Sequence, residues 1–365
     1  MSVLLRVMKL LLALNVLLAV PFAQANTVQY TLTILGLVQH NYPDSIFYPT
    51  SINDNGIVAG YARVRVPYNP SRTDRGVLWQ SSTHYTILGT ISESSSEDSM
   101  ANAINASGIA AGFSLENTGS SYVQHPVMFT PTGVVNLGVK NAFGGYATGI
   151  NNASQVVGIF YFIRPVFTCE AFVYQNGVMA PLGYPVPTNG YSQAYAINNN
   201  GLIVGSARFS AGSLPHAASY ANGAWTDLGT LGSGSNFTGT AYSVNDSGVI
   251  VGTWTNMYQG GMFIYQNGQI TNFAEPTAYY GFSYPVVNNV GEITFRNFIY
   301  QNGGWQDLNA LIEPGSGWTI SYAAAINNEG VIAGTIFKLY QGVDVFRACL
   351  LTPVSSTQQP ARPSP

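Results

Sequence analysis

One short pattern of apolar and polar residues recurs seven times along the chain. Each copy has an aliphatic residue, Asn, two variable positions, usually Gly, and then an aliphatic run that ends in a second Gly. The Asn residues of the seven copies are Asn53, Asn105, Asn151, Asn198, Asn245, Asn288 and Asn327. Their spacing of 39 to 52 residues is typical of repeat architectures. The repeat therefore overrides the length of 365 residues, which alone would suggest two domains.

Each repeat contains four short runs with the period-two alternation typical of β-strands. The Asn-x-x-Gly phrase suits a type I turn whose Gly has a positive φ, so it predicts a tight hairpin between strands one and two. Asn-Gly pairs such as Asn176-Gly177 and Asn222-Gly223 predict a second tight hairpin, between strands three and four.

Seven units of four antiparallel strands predict an all-β fold, a seven-bladed β-propeller. The seventh unit ends after its third strand, at residues 347–351, and residues 28–36 match the fourth strand of the other units. We therefore expect the strand at 28–36 to complete the last blade and close the ring, which removes exposed sheet edges. Helix should be nearly absent from the mature chain.

The first 25 residues have the pattern of a signal peptide. Arg6 and Lys9 precede an apolar run from Leu10 to Val20, and Ala23-Gln24-Ala25 forms a small-x-small cleavage site. The run is shorter than the roughly 20 residues that a membrane span needs. We expect export to the periplasm, the cell surface or the medium, with no stable membrane insertion after cleavage. The predicted domains are a signal peptide at 1–25, the propeller at 26–354 and a disordered Pro-rich tail at 355–365.

Charge and cysteine content exclude some partners. Charged residues make up 8% of the chain, well below the roughly 25% usual in soluble domains. The net charge of −3 gives no attraction to nucleic acid, so we expect no nucleic-acid partner. Cys169 and Cys349 fall in the third and seventh units, far apart around a ring. We expect two unpaired, buried thiols rather than a disulfide.

The fourth and fifth units carry a resemblance to a known family. They contain His216-Ala217-Ala218, Asn222-Gly223, Trp225-Thr226-Asp227-Leu228-Gly229 and the phrase from Val244 to Gly252. This order resembles the extracellular repeat family named after the tripeptide His-Ala-Phe (HAF), and the resemblance covers residues 28–353. Several units depart from it.

The departures from the HAF pattern are single residues. Pro126 replaces the Ala of the tripeptide, and Ser154 and Phe295 replace repeat glycines. The resemblance implies an exported repeat protein. The family has no established catalytic residues, so the resemblance assigns no functional role to any single residue of this chain.

The connections divide the predicted ring into two faces. The one–two and three–four turns are uniformly tight, and we call their side the turn face. The other connections define the variable-loop face; they are long and differ between blades, except in the sixth blade near Phe295-Arg296. The long ones include 61–74, 90–99, 113–124, 159–168, 230–239 and 336–345. Binding usually resides in such loops, so we place function there, around the channel mouth.

Aromatic residues outside the strand pattern are the candidate ligand contacts. Flat rings beside Asn and Ser suit stacking on sugar rings or contact with a protein. Tyrosines at regular strand positions, such as Tyr146, Tyr195 and Tyr242, are assigned to the core. The alternative for the candidates is packing of loops onto the ring. The candidates are Tyr42, Tyr61, Tyr68, Tyr122, Tyr161, Tyr184, Trp254, Tyr258, Tyr280, Trp318 and Tyr340.

A titratable residue stands at the start of the third strand in six units. A ring of such groups could bind an anion or a metal, but a repeated position usually serves the packing of its own blade, which we favour. Four His residues without a close pair argue against a zinc site, and turns such as 53–56 carry too few carboxylates for calcium. We therefore expect no metal and no cofactor. The six residues are Arg75, His125, Glu170, His216, Arg296 and Arg347.

No catalytic motif is recognisable, since the chain lacks a nucleophile elbow, a His-Glu-x-x-His motif and a phosphate-binding glycine loop. Two carboxylates on the variable-loop face could still approach as an acid–base pair, so catalytic residues are unknown. The carboxylates in question are Asp44, Glu93, Glu97, Asp98, Glu116, Glu275, Glu313 and Asp344.

The leading hypothesis from these patterns is an exported, monomeric, non-enzymatic propeller that binds a glycan or a protein ligand through its variable-loop face. Two alternatives stay open. One is an extracellular glycan hydrolase or lyase with carboxylates at the channel mouth, and the other is a structural protein of the cell surface.

Overall fold

The computed structural model describes residues 29–39, 45–65, 72–81, 83–92, 97–163, 167–187, 190–231, 237–256, 259–274 and 284–354. These residues form seven four-stranded antiparallel sheets arranged as a seven-bladed β-propeller, as predicted. Their helix content is one 3-10 turn at Leu308–Ala310, and none of it is long and apolar enough to cross a membrane. The predicted signal peptide and the tail at 355–365 lie outside the described residues.

Each blade runs from an innermost to an outermost strand. Blade 1 contains β2 (Phe47–Ile52), β3 (Val58–Arg65), β4 (Arg72–Ser81) and β5 (His84–Ile87). Blade 2 contains β6 (Ser99–Ile104), β7 (Ala110–Asn117), β8 (Tyr122–Thr130) and β9 (Gly133–Asn136). Blade 3 contains β10 (Gly144–Ile150), β11 (Val156–Phe162), β12 (Thr168–Gln175) and β13 (Val178–Pro181). Blade 4 contains β14 (Ser192–Ile197), β15 (Ile203–Ala207), β16 (His216–Ala221) and β17 (Ala224–Asp227).

The remaining blades follow the same order. Blade 5 contains β18 (Thr238–Val244), β19 (Ile250–Thr255), β20 (Gly260–Gln266) and β21 (Gln269–Phe273). Blade 6 contains β22 (Val286–Val287), β23 (Ile293–Phe295), β24 (Phe298–Gln301) and β25 (Gly304–Asp307). Blade 7 contains β26 (Thr319–Ile326), β27 (Ile332–Tyr340), β28 (Val343–Pro353) and, as its outermost strand, β1 (Tyr30–Ile34).

The ring closes in blade 7, where the two ends of the chain meet. β1 pairs antiparallel with β28, from Tyr30 opposite Pro353 to Ile34 opposite Cys349. This pairing confirms that the strand predicted at 28–36 completes the last blade. Cys349 and Cys169 are both buried and free, as expected. Burial raises the pKa of each thiol.

Both predicted kinds of tight turn are present. Gly56 closes an Asn-x-x-Gly turn with a φ of 77°, and Ser154 holds the same position in blade 3 with a φ of 57°. In the Asn-Gly turns both residues have positive φ, as Asn176 (52°) and Gly177 (81°) illustrate. That geometry is the type I′ turn, which matches the twist of the strands that it joins.

A glycine in the second strand lies against a kink in the first. A Cβ at Gly112 would lie 1.9 Å from the Met100 carbonyl oxygen, and the pairing of β6 with β7 shifts register there. Blade 6 has Phe295 at this position instead. Its innermost strand β22 pairs with β23 only at Thr294 and Ile293, so no paired strand crowds Phe295, which packs with Val251 and Met262 of blade 5.

Four connections that were predicted as long loops are largely paired hairpin arms. β3 extends to Arg65, β7 to Asn117, β11 to Phe162 and β27 to Tyr340. The prediction of loops at 61–74, 113–124, 159–168 and 336–345 was therefore wrong for most of these residues. Antiparallel pairing continues beyond the blade, and in blade 7 a two-residue turn with positive φ closes the arm. The short connection predicted in blade 6 is confirmed by the tight turn between β23 and β24.

Candidate functional site

The repeated Asn joins each blade to the next at the turn face. Asn53 Oδ1 accepts the backbone N–H of Ile57 at 2.9 Å, which shapes the turn. Its Nδ2 donates to the backbone oxygen of Asn105 in the next blade at 3.0 Å, and Asn327 donates back to Asn53 at 3.0 Å. The same bond spans all seven junctions at 2.9–3.3 Å. In each blade, one buried Asn side chain therefore shapes its own hairpin and bonds to the next blade. Together the seven bonds close the ring.

The residue after each Asn adds a second ring of hydrogen bonds. Its backbone N–H donates to the side-chain Oδ1 of the equivalent residue in the next blade, as from Asn328 to Asp54 at 2.9 Å. Six junctions have this bond. At the seventh, the N–H of Asp54 faces Ala106, which has no acceptor in its side chain. The two rings line a polar cavity of about 170 Å³ on the axis.

The carboxylates of the turn face are also engaged in this ring. Asp246 accepts hydrogen bonds from the backbone and side chain of Asn199 and from the side chain of Asn289. Burial acts to raise the pKa of Asp246, but these hydrogen bonds outweigh it and hold the pKa below its usual value. The most repeated residues are thus used to hold the blades together.

The innermost strand of each blade lies along the central channel. The aliphatic residue before each Asn lines the cavity at the turn face. In six blades the residue three positions before Asn is left unpaired by a register shift, and these residues are Thr50, Asn102, Thr148, Tyr195, Tyr242 and Ala324. The side chains of Thr50, Asn102 and Thr148 donate to the backbone of the next blade. Residues five positions before Asn form the layer nearest the variable-loop face, and the described ones are Tyr48, Met100, Tyr146, Gln193, Thr240 and Tyr322. The channel wall is therefore far from uniform.

Tyr146, Tyr195, Tyr242 and Tyr284 form an aromatic surface on one side of the channel mouth, which we call the tyrosine wall. The rings of Tyr195 and Tyr242 are 5.1 Å apart at 65°, and those of Tyr242 and Tyr284 are 4.2 Å apart at 37°. Burial raises the pKa of Tyr146 to about 12, with further contributions from Cys169 and Tyr284. Tyr146 belongs to blade 3 and Tyr284 leads into blade 6, so the wall extends over blades 3 to 6.

The polar groups that contact the tyrosine wall are neutral. The Tyr195 hydroxyl donates to Gln193 Oε1 at 2.9 Å, and the Tyr242 hydroxyl bonds with Thr240 and Thr253. The hydroxyls of Tyr146 and Tyr284 have no hydrogen-bond partner within the described part of the chain. Tyr284 is 44% exposed. The wall therefore offers ring faces and two hydroxyl groups to a ligand.

Sequence reasoning assigned Tyr146, Tyr195 and Tyr242 to the core, whereas the structure places them along the channel. Each innermost strand has a register shift near these residues, which breaks the alternation of the strand, so the period-two pattern did not reveal that they face the channel. Closure of the ring is what brings these strands around the axis.

The eleven aromatic candidates do not form a single site. Tyr42, Tyr68, Tyr258 and Tyr280 lie outside the described residues. Tyr161 and Tyr184 flank the tyrosine wall. The Tyr161 hydroxyl donates to Gln124 Oε1 at 3.2 Å. Burial, followed by Glu170 and Cys169, raises the pKa of Tyr184 to about 12.

The other described candidates are held within single blades or project from arms. Tyr61 stacks on Tyr48 with 5.2 Å between centroids. Trp254 donates to Asn272 Oδ1 at 3.1 Å, and the Lys338 Nζ lies 4.5 Å from the Trp318 ring. Tyr122 and Tyr340 stand on hairpin arms and are 53% and 59% exposed. Only these last two present most of their ring to solvent.

The titratable residues at the start of the third strand have separate local contacts. His216 Nδ1 lies 2.8 Å from Asp227 Oδ2. His125 Nε2 lies 2.9 Å from Glu116 Oε2, in a direction that does not make a hydrogen bond. The Arg296 guanidinium covers the Phe295 ring at 5.0 Å. These contacts support packing within each blade. No three His, Cys, Asp or Glu residues in the described ranges are grouped to hold a metal.

Carboxylates converge at one place on the variable-loop face, between blades 1 and 2. Asp98 Oδ1 accepts the backbone N–H of Asp74 at 2.9 Å, and the Asp74 carboxylate pairs with Arg63 at 3.2 Å. Burial raises the pKa of Asp98. Burial also lowers the pKa of the Arg75 guanidinium, although the Asp98 and Glu97 carboxylates act to raise it. This is a compact acidic cluster with two guanidinium partners.

The other carboxylates singled out from the sequence are dispersed or not described. Glu116 contacts His125 in blade 2, Glu313 precedes β26 and Asp344 lies on the arm of blade 7. Asp44, Glu93 and Glu275 lie outside the described residues.

Comparison with known proteins supports the fold alone. No family model and no curated protein sequence matches the chain. The β-propeller domain of the Trilobed protease from Pyrococcus furiosus is similar in structure, with 10% identity and a TM-score of 0.50 over 86% of this chain and 100% of that domain. A putative TolB from Agrobacterium tumefaciens matches with 10% identity and a TM-score of 0.41 over 62% of this chain and 80% of its own. At these identities the likeness is that of β-propellers to one another.

Proposed function

We propose that the protein is an exported propeller that binds a carbohydrate or protein ligand through its variable-loop face. The observation that carries this proposal is the contrast between the two faces. The repeated polar groups of the turn face bond to one another around the ring, whereas aromatic side chains on the other face remain exposed. Phe143 is 50% exposed, Phe167 68%, Tyr122 53% and Tyr340 59%. Single exposed apolar residues are common, but a set of them on one face is typical of an interaction surface.

Export is supported by the signal-peptide pattern of the first 25 residues and by the low charge content. Membership of the HAF repeat family is part of the same proposal. It is supported by the motifs of residues 216–252 and by an arrangement in which the Asn phrase recurs once in each blade.

Selective blocking of one face tests the proposal. The mature chain, residues 26–365, is first screened against glycan and protein arrays for a ligand. A polyethylene glycol maleimide is then attached to a cysteine introduced by Tyr122→Cys or Tyr340→Cys on the variable-loop face. Val178→Cys and Val290→Cys are matched controls, since these valines are 64% and 70% exposed on the turn face. The native thiols are buried and should not react.

We expect the polymer to abolish binding only from the variable-loop face, with each unmodified cysteine variant binding normally. Equal binding after modification of either face would contradict the proposal. Retention at the cell surface with no ligand on any array would instead favour the structural role.

The acidic cluster between blades 1 and 2 supports a second candidate, glycan hydrolysis. A half-buried Asp98 with a raised pKa, close to the Asp74 carboxylate, suits an acid–base pair. Incubation with polysaccharides and measurement of reducing ends tests this function. Activity that is lost in Asp98→Asn would support it, and equal activity in the variant would remove these residues as its source.

A further inference from the structure

We propose that the channel mouth is a binding site for a neutral sugar ring that stacks on the tyrosine wall. This inference rests on the proposed function and deepens it, because it names the ligand class and the place where the ligand binds.

The geometry of the tyrosine wall suits a pyranose ring. Neighbouring rings are in contact at 4.2 Å and 37° and at 5.1 Å and 65°, so together they form an angled aromatic surface larger than one side chain. The C–H face of a sugar packs against such a surface, while its hydroxyl groups need hydrogen-bond partners at the edges. The hydroxyls of Tyr146 and Tyr284, without partners in the described residues, stand at those edges.

The charges around the wall favour a neutral ligand. Burial raises the pKa of Tyr146, Tyr195 and Tyr242, so all three stay protonated at physiological pH. The groups bonded to the wall are Gln193, Thr240 and Thr253, which carry no charge. Among the described residues, the charged groups near the wall are Glu170, beside Tyr184, and Arg208, over the Tyr191 ring, and neither is bonded to the four tyrosines. A charged ligand stacked on the wall would therefore lose hydration without gaining a direct ion pair. A uronate or a sulfated sugar is therefore disfavoured.

The position of the wall favours a small ligand over a protein surface. Tyr195 and Tyr242 lie on innermost strands and are partly buried. Toward the turn face, the aliphatic residues before each Asn are only 6–9% exposed, and the Asn rings lie beyond them. A single sugar residue can reach partly buried rings on these strands, whereas a flat protein surface meets the exposed loops and arms first.

Substitutions in the wall test the inference on the full mature chain by calorimetric titration. The probes are cellohexaose, chitohexaose and mannohexaose, with hexagalacturonate as the anionic counterpart. Tyr284→Ser removes an exposed ring and should leave the fold intact, and Tyr146→Phe removes a hydroxyl but keeps the ring. Tyr122→Ser is the matched control, since it removes an exposed tyrosine from an arm of the same face.

We expect at least one neutral probe to bind, with an affinity that falls by about tenfold in Tyr284→Ser and severalfold in Tyr146→Phe. Tyr122→Ser should bind as the parent does. Preference for hexagalacturonate, or neutral-sugar binding that Tyr284→Ser and Tyr146→Phe leave unchanged, would overturn the inference while the proposed function stands. Binding of a protein ligand, with no binding of any sugar probe, would likewise overturn the inference while the proposed function stands. Absence of any ligand for the variable-loop face would overturn both.

Discussion

Single amide groups hold this ring together at the residue scale. The repeated Asn uses its oxygen for the turn of its own blade and its nitrogen for the backbone of the next, as Asn198 does with Leu202 and Asn245, both at 2.9 Å. A buried backbone oxygen or N–H that loses such a partner costs about 1–3 kcal/mol. The repetition of Asn therefore reflects a repeated structural need.

The gap at Ala106 leads to a stabilising substitution. Ala106→Asn should supply the missing acceptor for the N–H of Asp54 and raise the free energy of unfolding by about 0.5–1.5 kcal/mol. Urea denaturation would measure the change. Ala106→Leu adds a side chain without an acceptor and is the control. A gain of equal size in both variants would exclude the hydrogen bond as its cause.

Two partly buried tyrosines lead to a prediction for alkaline pH. Burial raises the pKa of Tyr146 and of Tyr184 to about 12, against about 10 for an exposed tyrosine. The folded state therefore keeps protons that the unfolded chain releases, and stability should be full below pH 10 and fall as the pH rises toward 12. Denaturation at several pH values would show this slope.

Tyr146→Phe cannot ionise and is the matched variant for this measurement. Its stability should decline less between pH 10 and 12 than that of the parent. An identical slope in both proteins would show that Tyr146 does not contribute.

At the scale of the element, blade 6 departs from the repeat in a way that its neighbours explain. Its innermost strand has two residues, and Phe295 replaces the glycine that the other blades need beside the kink of strand one. Phe295 is 2% exposed and packs on Val251 and Met262 of blade 5. The large side chain of Phe295 therefore supplies packing in blade 6 that the longer innermost strand supplies in the other blades.

A change to the repeat consensus at this position should therefore destabilise the protein. Phe295→Gly removes a buried aromatic ring, so we expect a loss of about 3–5 kcal/mol in the free energy of unfolding. Phe295→Leu, which keeps most of the apolar volume, should lose much less. Thermal unfolding would measure both, and a stable Phe295→Gly variant would contradict this account of blade 6.

Closure of the ring belongs to the scale of the whole molecule. β1 shields one edge of β28, whose Cys349 is fully buried opposite Ile34. A chain that begins at residue 37 would lose this strand and open the junction between the two ends. We expect a large loss of stability, together with reaction of Cys349 with a thiol reagent in native buffer.

The matched control for the truncation is a chain that ends at residue 354 and keeps β1. Its Cys349 should stay protected, as should Cys169 in both proteins. Each thiol is followed alone after substitution of the other by serine. Protection of Cys349 in the chain without β1 would show that the ring closes without that strand.

Local chemistry made most of the fold predictable from sequence. Turn signals such as Asn176-Gly177 and Asn53-x-x-Gly56 act within a few residues, and their repetition revealed the number of blades. The match of residues 28–36 to other fourth strands revealed the closure. The extent of the hairpin arms was missed, because pairing beyond Arg65 or Phe162 depends on the opposite strand as much as on local propensity.

The sequence by itself determined the strands, the tight turns, the count of seven blades and the pairing of the two chain ends. Only the tertiary structure decided which side chains meet on the axis. Tyr146, Tyr195 and Tyr242 are about one blade apart in sequence, and the local pattern says only that each lies on an innermost strand. They become one surface because the closed ring brings seven innermost strands around a single channel.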